Sequence, residues 1–135
     1  MQTYVPNQDR NKLFLCNPLR DITTMNELYQ FTYPEITRYA KTVDVAWFND
    51  RNMPHAFFEI EHSTDIQNSI LKFYELQDFN SNFYIVADDY RERLFCDIMN
   101  RSVFKLIKNR IKFISYESLS SIHTHTHTQN ILRLM

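Results

Sequence analysis

The chain has 135 residues and not one glycine. Walker loops and dinucleotide-binding turns both need glycine where the backbone approaches a phosphate, so both are excluded. Tight turns must instead rely on Asn and Asp, the residues that best tolerate a positive φ. "FNDRN" at 48–52 and "FNSN" at 79–82 are read as such turns.

The length suits one domain with a real core. Apolar residues make up 44% of the chain and aromatics 15%, which argues against disorder. A net charge of -1 announces no global attraction to nucleic acid, so any such contact must come from a local patch. Cys16 and Cys96 have neither zinc-site nor disulfide-framework spacing, so a reducing, cytoplasmic setting is expected. The start lacks the basic and apolar pattern of a secretory signal, and no stretch reaches membrane-spanning length.

The first 22 residues show no clear period and read as an N-terminal extension. Residues 23–119 read as the domain and 120–135 as a low-complexity tail. The tail's "HTHTHT" is open to metal chelation, but the reading adopted is a simple extension. "TTMNELYQF" has a capping box, Thr24 with Glu27, and predicts a short helix. "YPEITRYAKT" is compatible with a strand or with a helix starting at Pro34. Strands are expected at about 43–49, 55–62, 82–87 and 111–116, the first two forming a hairpin. Thr64 with Gln67 predicts a helix over 65–78, whose apolar face carries Ile66, Ile70, Phe73 and Tyr74. "RERLFCDIMNRSVFKLI" has helical spacing through Leu94, Ile98 and Phe104, with a break near Asn100. The fold class is α/β, a mixed central sheet flanked by helices.

The chemistry sits in "FFEIEHSTD". Glu59 and Glu61 alternate with apolar residues and face the same way, with Phe57 on their side and Phe58 and Ile60 on the other. The hairpin brings Asp44 towards them. Close carboxylates raise one another's pKa unless a cation neutralises them. Hard divalent ions suit such oxygen clusters, and the Ile60 carbonyl is a further ligand candidate. A solvated edge-strand face is the plain alternative for the two glutamates. His62 is open to a general-base role or to an ordinary surface position, and Asp88 and Asp89 are read as a cap for the next helix.

"VDVAWFND", then "AFFEIEHSTDIQNSILKFYELQDF", then "FYIVADD" resemble the core of the PD-(D/E)xK, restriction-endonuclease-like nuclease superfamily. The resemblance covers roughly residues 23–119. It implies a metal-dependent DNA endonuclease of a restriction-type system, using Mg²⁺ or Mn²⁺ held by Asp44, Glu59, Ile60 and Glu61. Asp44 and Glu59 match the first two motif positions, and Glu61 stands where the family carries lysine. Glu61 is then expected to activate water or hold a second ion. Lys72 either reaches back to supply the missing charge or is a solvated lysine of the helix.

Arg101, Lys105, Lys108, Arg110 and Lys112 form an acid-free basic run, a candidate DNA contact, with Arg91 and Arg93 approaching the site. DNA is the expected partner, with dimerisation or fusion to a specificity domain as possible contexts. The alternative is a catalytically inactive nuclease fold that binds nucleic acid or a protein.

Overall fold

The computed structural model describes residues 1–14, 17–61 and 65–118. Cys16, His62, Thr64 and the His-Thr tail lie outside them. The elements run β1 (Gln2–Tyr4), β2 (Leu13–Phe14), β3 (Asn17–Pro18), α1 (Pro34–Ala40), β4 (Val45–Phe48), β5 (Pro54–Ile60), α2 (Ile66–Glu75), β6 (Asn82–Ala87), α3 (Glu92–Met99) and β7 (Ile111–Ser115).

The fold is mixed α/β, as the sequence leads one to expect. One sheet has the order β1-β4-β5-β6-β7, and β2 pairs with β3 as a small hairpin. β4 is antiparallel to β1 and to β5, whereas β5, β6 and β7 are parallel. The carboxyl ends of β1, β5, β6 and β7 and the amino end of β4 therefore share one edge of the sheet.

The β4–β5 hairpin turns as the missing glycines require. Asn52 takes φ 61°, and the Asn49 side chain accepts hydrogen bonds from the Arg51 and Met53 amides. The turn at 79–82 is made without a positive φ.

Alternation along the strands builds two cores. On one face Ala46, Phe48, Phe57, Phe83 and Ile85 pack against Ile66, Ile70 and Phe73 of α2 and Phe95, Ile98 and Met99 of α3. Each such large side chain contributes about 1.5–3 kcal/mol by leaving water. On the other face Val45, Trp47, Phe58, Ile60, Tyr84 and Val86 are covered by Val5 and Leu19 of the N-terminal segment. β6 is buried on both faces, as its unbroken apolar run requires.

Several expectations are corrected. "TTMNELYQF" is not helical. Thr24 spends its hydroxyl oxygen on the Thr3 amide at 2.7 Å, which anchors β1 instead of capping a helix. The N-cap of α2 is Asp65, whose side chain accepts from the Asn68 amide at 3.0 Å. Gln67, expected in a capping box, instead accepts from the Arg101 guanidinium. In α3 the buried face is Phe95, Ile98 and Met99, one residue out of phase with Leu94, which stays exposed. Asp88 precedes a short 3-10 turn, but its side chain makes no cap bond there. The helix alternative holds for Pro34–Ala40, with Pro34 in the first turn, where its missing N–H costs nothing.

Candidate active site at the carboxyl edge of the sheet

Glu59 lies on the Phe57 face of β5, beneath α2, and is only 2% exposed. A carboxylate this deep needs a partner. Lys72, on α2, provides one, its Nζ 2.9 Å from Glu59 Oε1. The same ammonium donates to the Thr42 carbonyl at 3.1 Å, which ties the approach to β4 into the cluster. Lys72 thus reaches the site and is not a solvated helix lysine.

Asp44 is 5% exposed and sits one residue before β4. The β4–β5 ladder begins at Val45↔Phe58. The next donor along β5, the Ile60 N–H, is taken by Asp44 Oδ2 at 2.7 Å. The Ile60 carbonyl points to the same side of its strand as that N–H, towards Asp44. Lys12 Nζ lies 2.9 Å from the same Asp44 oxygen.

The carboxyls of Asp44 and Glu59 lie within hydrogen-bonding reach of each other, and so do those of Asp44 and Asp9. Burial, and then the Asp44 carboxylate, push Glu59 well above the usual carboxylate range, against the pull of Lys72. Burial, and then Asp44, also raise Asp9 to about 6. Burial works against the Lys72 ammonium, but Glu59, Asp44 and Asp9 outweigh it and raise its pKa. Three carboxyls, Asp9, Asp44 and Glu59, thus face two ammoniums, Lys12 and Lys72.

Glu61 is brought to the same strand end, where α2 engages its carboxylate one turn before Lys72. Its carboxylate accepts from the Ser69 hydroxyl of α2, and its carbonyl accepts from the Tyr116 hydroxyl at 3.2 Å. The Tyr116 phenol is raised by burial first, then by Asp88, Asp44 and Glu61, with Arg91 opposing. Arg91 is buried, and its Nη2 has no hydrogen-bond partner among the described residues. Arg93, Arg101, Lys105 and Lys108 are exposed. Arg110 is not part of a free basic surface. Its guanidinium donates to the carbonyls of Gln77, Phe79 and Ser81 at 2.8, 2.6 and 3.0 Å and lies over the Phe83 ring.

Asp9 and Lys12 are the site residues that sequence reasoning missed. They come from a segment without periodicity. Nothing in "NQDRNK" shows that a 3-10 turn at Asn7–Asp9 and the β2–β3 hairpin carry it to Asp44.

Among the described residues no group of three or more His, Cys, Asp or Glu side chains is arranged to hold an ion. Two converging carboxyls and a nearby carbonyl still match the donor set of Mg²⁺, which usually takes one or two carboxylates and completes its shell with water and phosphate. No helix among the described residues is long and apolar enough to cross a membrane.

Fold and site define an α/β protein that gathers buried carboxylates and lysine ammoniums at the carboxyl edge of a mixed sheet, where open α/β sheets commonly bind ligands. From residue 1 to residue 135 the chain matches the family described as the C-terminal domain of the type II restriction enzyme NmeDI, and it belongs to that family. No curated protein and no solved structure matches it.

Proposed function

We propose that this chain is the cleaving domain of a restriction-type endonuclease, hydrolysing DNA phosphodiesters with Mg²⁺ or Mn²⁺. The observation that carries the reading is the 2.9 Å contact between Lys72 and the buried Glu59, beside Asp44. A lysine beside two acids is the charge set of the PD-(D/E)xK pattern, here with the lysine supplied by the helix after the strand. Membership in a restriction-enzyme family supports the same substrate class.

In this reading Asp44, Glu59 and the Ile60 carbonyl hold the ion. Bound there, a divalent ion supplies Lewis-acid polarisation of the phosphate and a more acidic water. Lys72 orients the attacking water and offsets the charge that builds on the phosphate oxygens. Glu61, engaged with Ser69, keeps α2 and therefore Lys72 in place against β5. Arg91 and the exposed Arg93, Arg101, Lys105 and Lys108 contribute phosphate contacts. Sequence recognition belongs to another part of the enzyme or to a second copy.

The test is cleavage of supercoiled, linear duplex and single-stranded DNA with Mg²⁺ or Mn²⁺, beside an Asp44→Ala control. Metal-dependent cleavage lost in the control supports the reading. DNA binding without cleavage under either ion supports the non-catalytic alternative.

A further inference from the structure

Lys12 is held with more structure than a surface counter-ion needs. Its amide donates to the Asp9 carbonyl at 3.0 Å, and its own carbonyl accepts from the Leu19 amide at 3.0 Å. The β2–β3 hairpin begins at the next residue. The Arg10 guanidinium ties the same segment to the Val5 carbonyl at 3.0 Å and to the Asn26 carbonyl at 3.2 Å. The side chain that this scaffold presents is 26% exposed, so it stands at the mouth of the cluster, not in its floor. Its contact with Asp44 is made to Oδ2, the same oxygen that accepts from the Ile60 N–H. The pair is buried on the Asp44 side and a quarter exposed on the Lys12 side, so the ammonium is the member that can leave it towards solvent. The ammonium has three donors, and donors at the mouth of an acidic cluster suit an incoming anion.

We propose that Lys12 is a substrate-positioning residue. It neutralises Asp44 when no divalent cation is bound, and it turns to a DNA phosphate when one is. The anion it takes is a phosphodiester next to the scissile bond. The N-terminal segment is therefore part of the site and not an appendage to it. This rests on the metal-dependent reading above and adds to it a second ammonium with an exchangeable partner.

The test compares the unmodified chain, Lys12→Met and Asp44→Ala in Mg²⁺ titrations by calorimetry without DNA. Lys12→Met should bind Mg²⁺ about threefold to fivefold tighter, because a competing ammonium of ion-pair strength is gone. DNA binding is then measured against salt with Mg²⁺ present, in a Lys72→Met background that slows cleavage below the time of the measurement. Adding Lys12→Met should lower the slope of log affinity on log salt by about one phosphate contact, and Lys12→Arg should restore it. Should Lys12→Met not fold, the unmodified chain is labelled by ¹³C reductive methylation. The Lys12 signal, assigned with Lys12→Arg, should then shift as Mg²⁺ is added. Asp44-dependent Mg²⁺ binding with no change in affinity, slope or signal overturns this proposal alone. No Asp44-dependent binding in the unmodified chain overturns the metal-site reading and this proposal with it.

Discussion

Lys72 on α2 donates to Glu59 on β5 across 2.9 Å, and Glu59 is almost fully enclosed. Such a pair has unequal dependence on its two members. Removing the lysine leaves a buried carboxyl without its counter-charge, whereas that carboxyl can still be neutralised by taking up a proton. Lys72→Met should therefore cost about 1–3 kcal/mol of stability, the cost of a buried polar group losing its partner. It should also lower metal-dependent cleavage by about 10²–10⁴-fold, the usual loss when a group acting on the attacking water is removed. Chemical denaturation and single-turnover cleavage measure the two effects separately.

Glu61 gives a different expectation, because its carboxylate is engaged with Ser69. Glutamine keeps an acceptor for that hydroxyl. Glu61→Gln should retain cleavage to within about tenfold, well short of the 10²–10⁴-fold loss that follows removal of a general base. A loss in the larger range would restore Glu61 to the water-activating role that its position in the motif suggests.

Asp9 makes stability depend on pH. Its carboxyl is raised to about 6 in the folded protein, chiefly by burial and then by Asp44, from an ordinary value of 3.8. The folded state therefore binds more protons than the unfolded chain between those values, and stability falls as pH rises through that window. Asp9→Asn should be more stable than the unmodified chain above pH 6, and the difference should close as pH falls towards 4. Thermal unfolding from acid to neutral pH in the absence of divalent ions measures it. A difference that widens towards acid contradicts the placement of Asp9.

Arg110 lies in a basic run that reads as a DNA contact, yet its guanidinium is committed to three loop carbonyls between α2 and β6. Hydrogen bonds from a charged donor are individually worth about 1.5–3 kcal/mol and do not add fully. Arg110→Ala should lower stability by about 2–4 kcal/mol, with the same principle setting the scale. Its effect on the salt dependence of DNA binding should be smaller than that of Lys105→Ala or Lys108→Ala. Denaturant melts paired with binding titrations separate the two roles.

The sheet was legible because its strands carry their burial in their composition. "FYIVA" is apolar throughout and lies buried between β5 and β7, and Phe57 and Phe58 fall on opposite faces as alternation requires. The face shared by Glu59 and Phe57 follows from the same period, and with it the approach of Lys72 from α2. Thr24 was misleading because a capping box states only that a hydroxyl is free to accept; the Thr3 amide took it. Ile98 and Phe104 are buried as the helical spacing predicts, but Leu94 fits that spacing as well as Phe95 does, and packing turns Phe95 inward instead. Asp9 and Lys12 were not legible at all. Their place depends on tertiary hydrogen bonds of an aperiodic segment, which no local pattern encodes.

The central claim is that Glu59 and Lys72 act as one unit in metal-dependent DNA cleavage. A double-mutant cycle on the single-turnover rate, with Glu59→Gln, Lys72→Met and both together, tests it most directly. Groups that work as a unit are far from additive, so the double variant should cleave about as slowly as either single variant. Losses that multiply, or a Lys72→Met variant as fast as the unmodified chain, would contradict the claim.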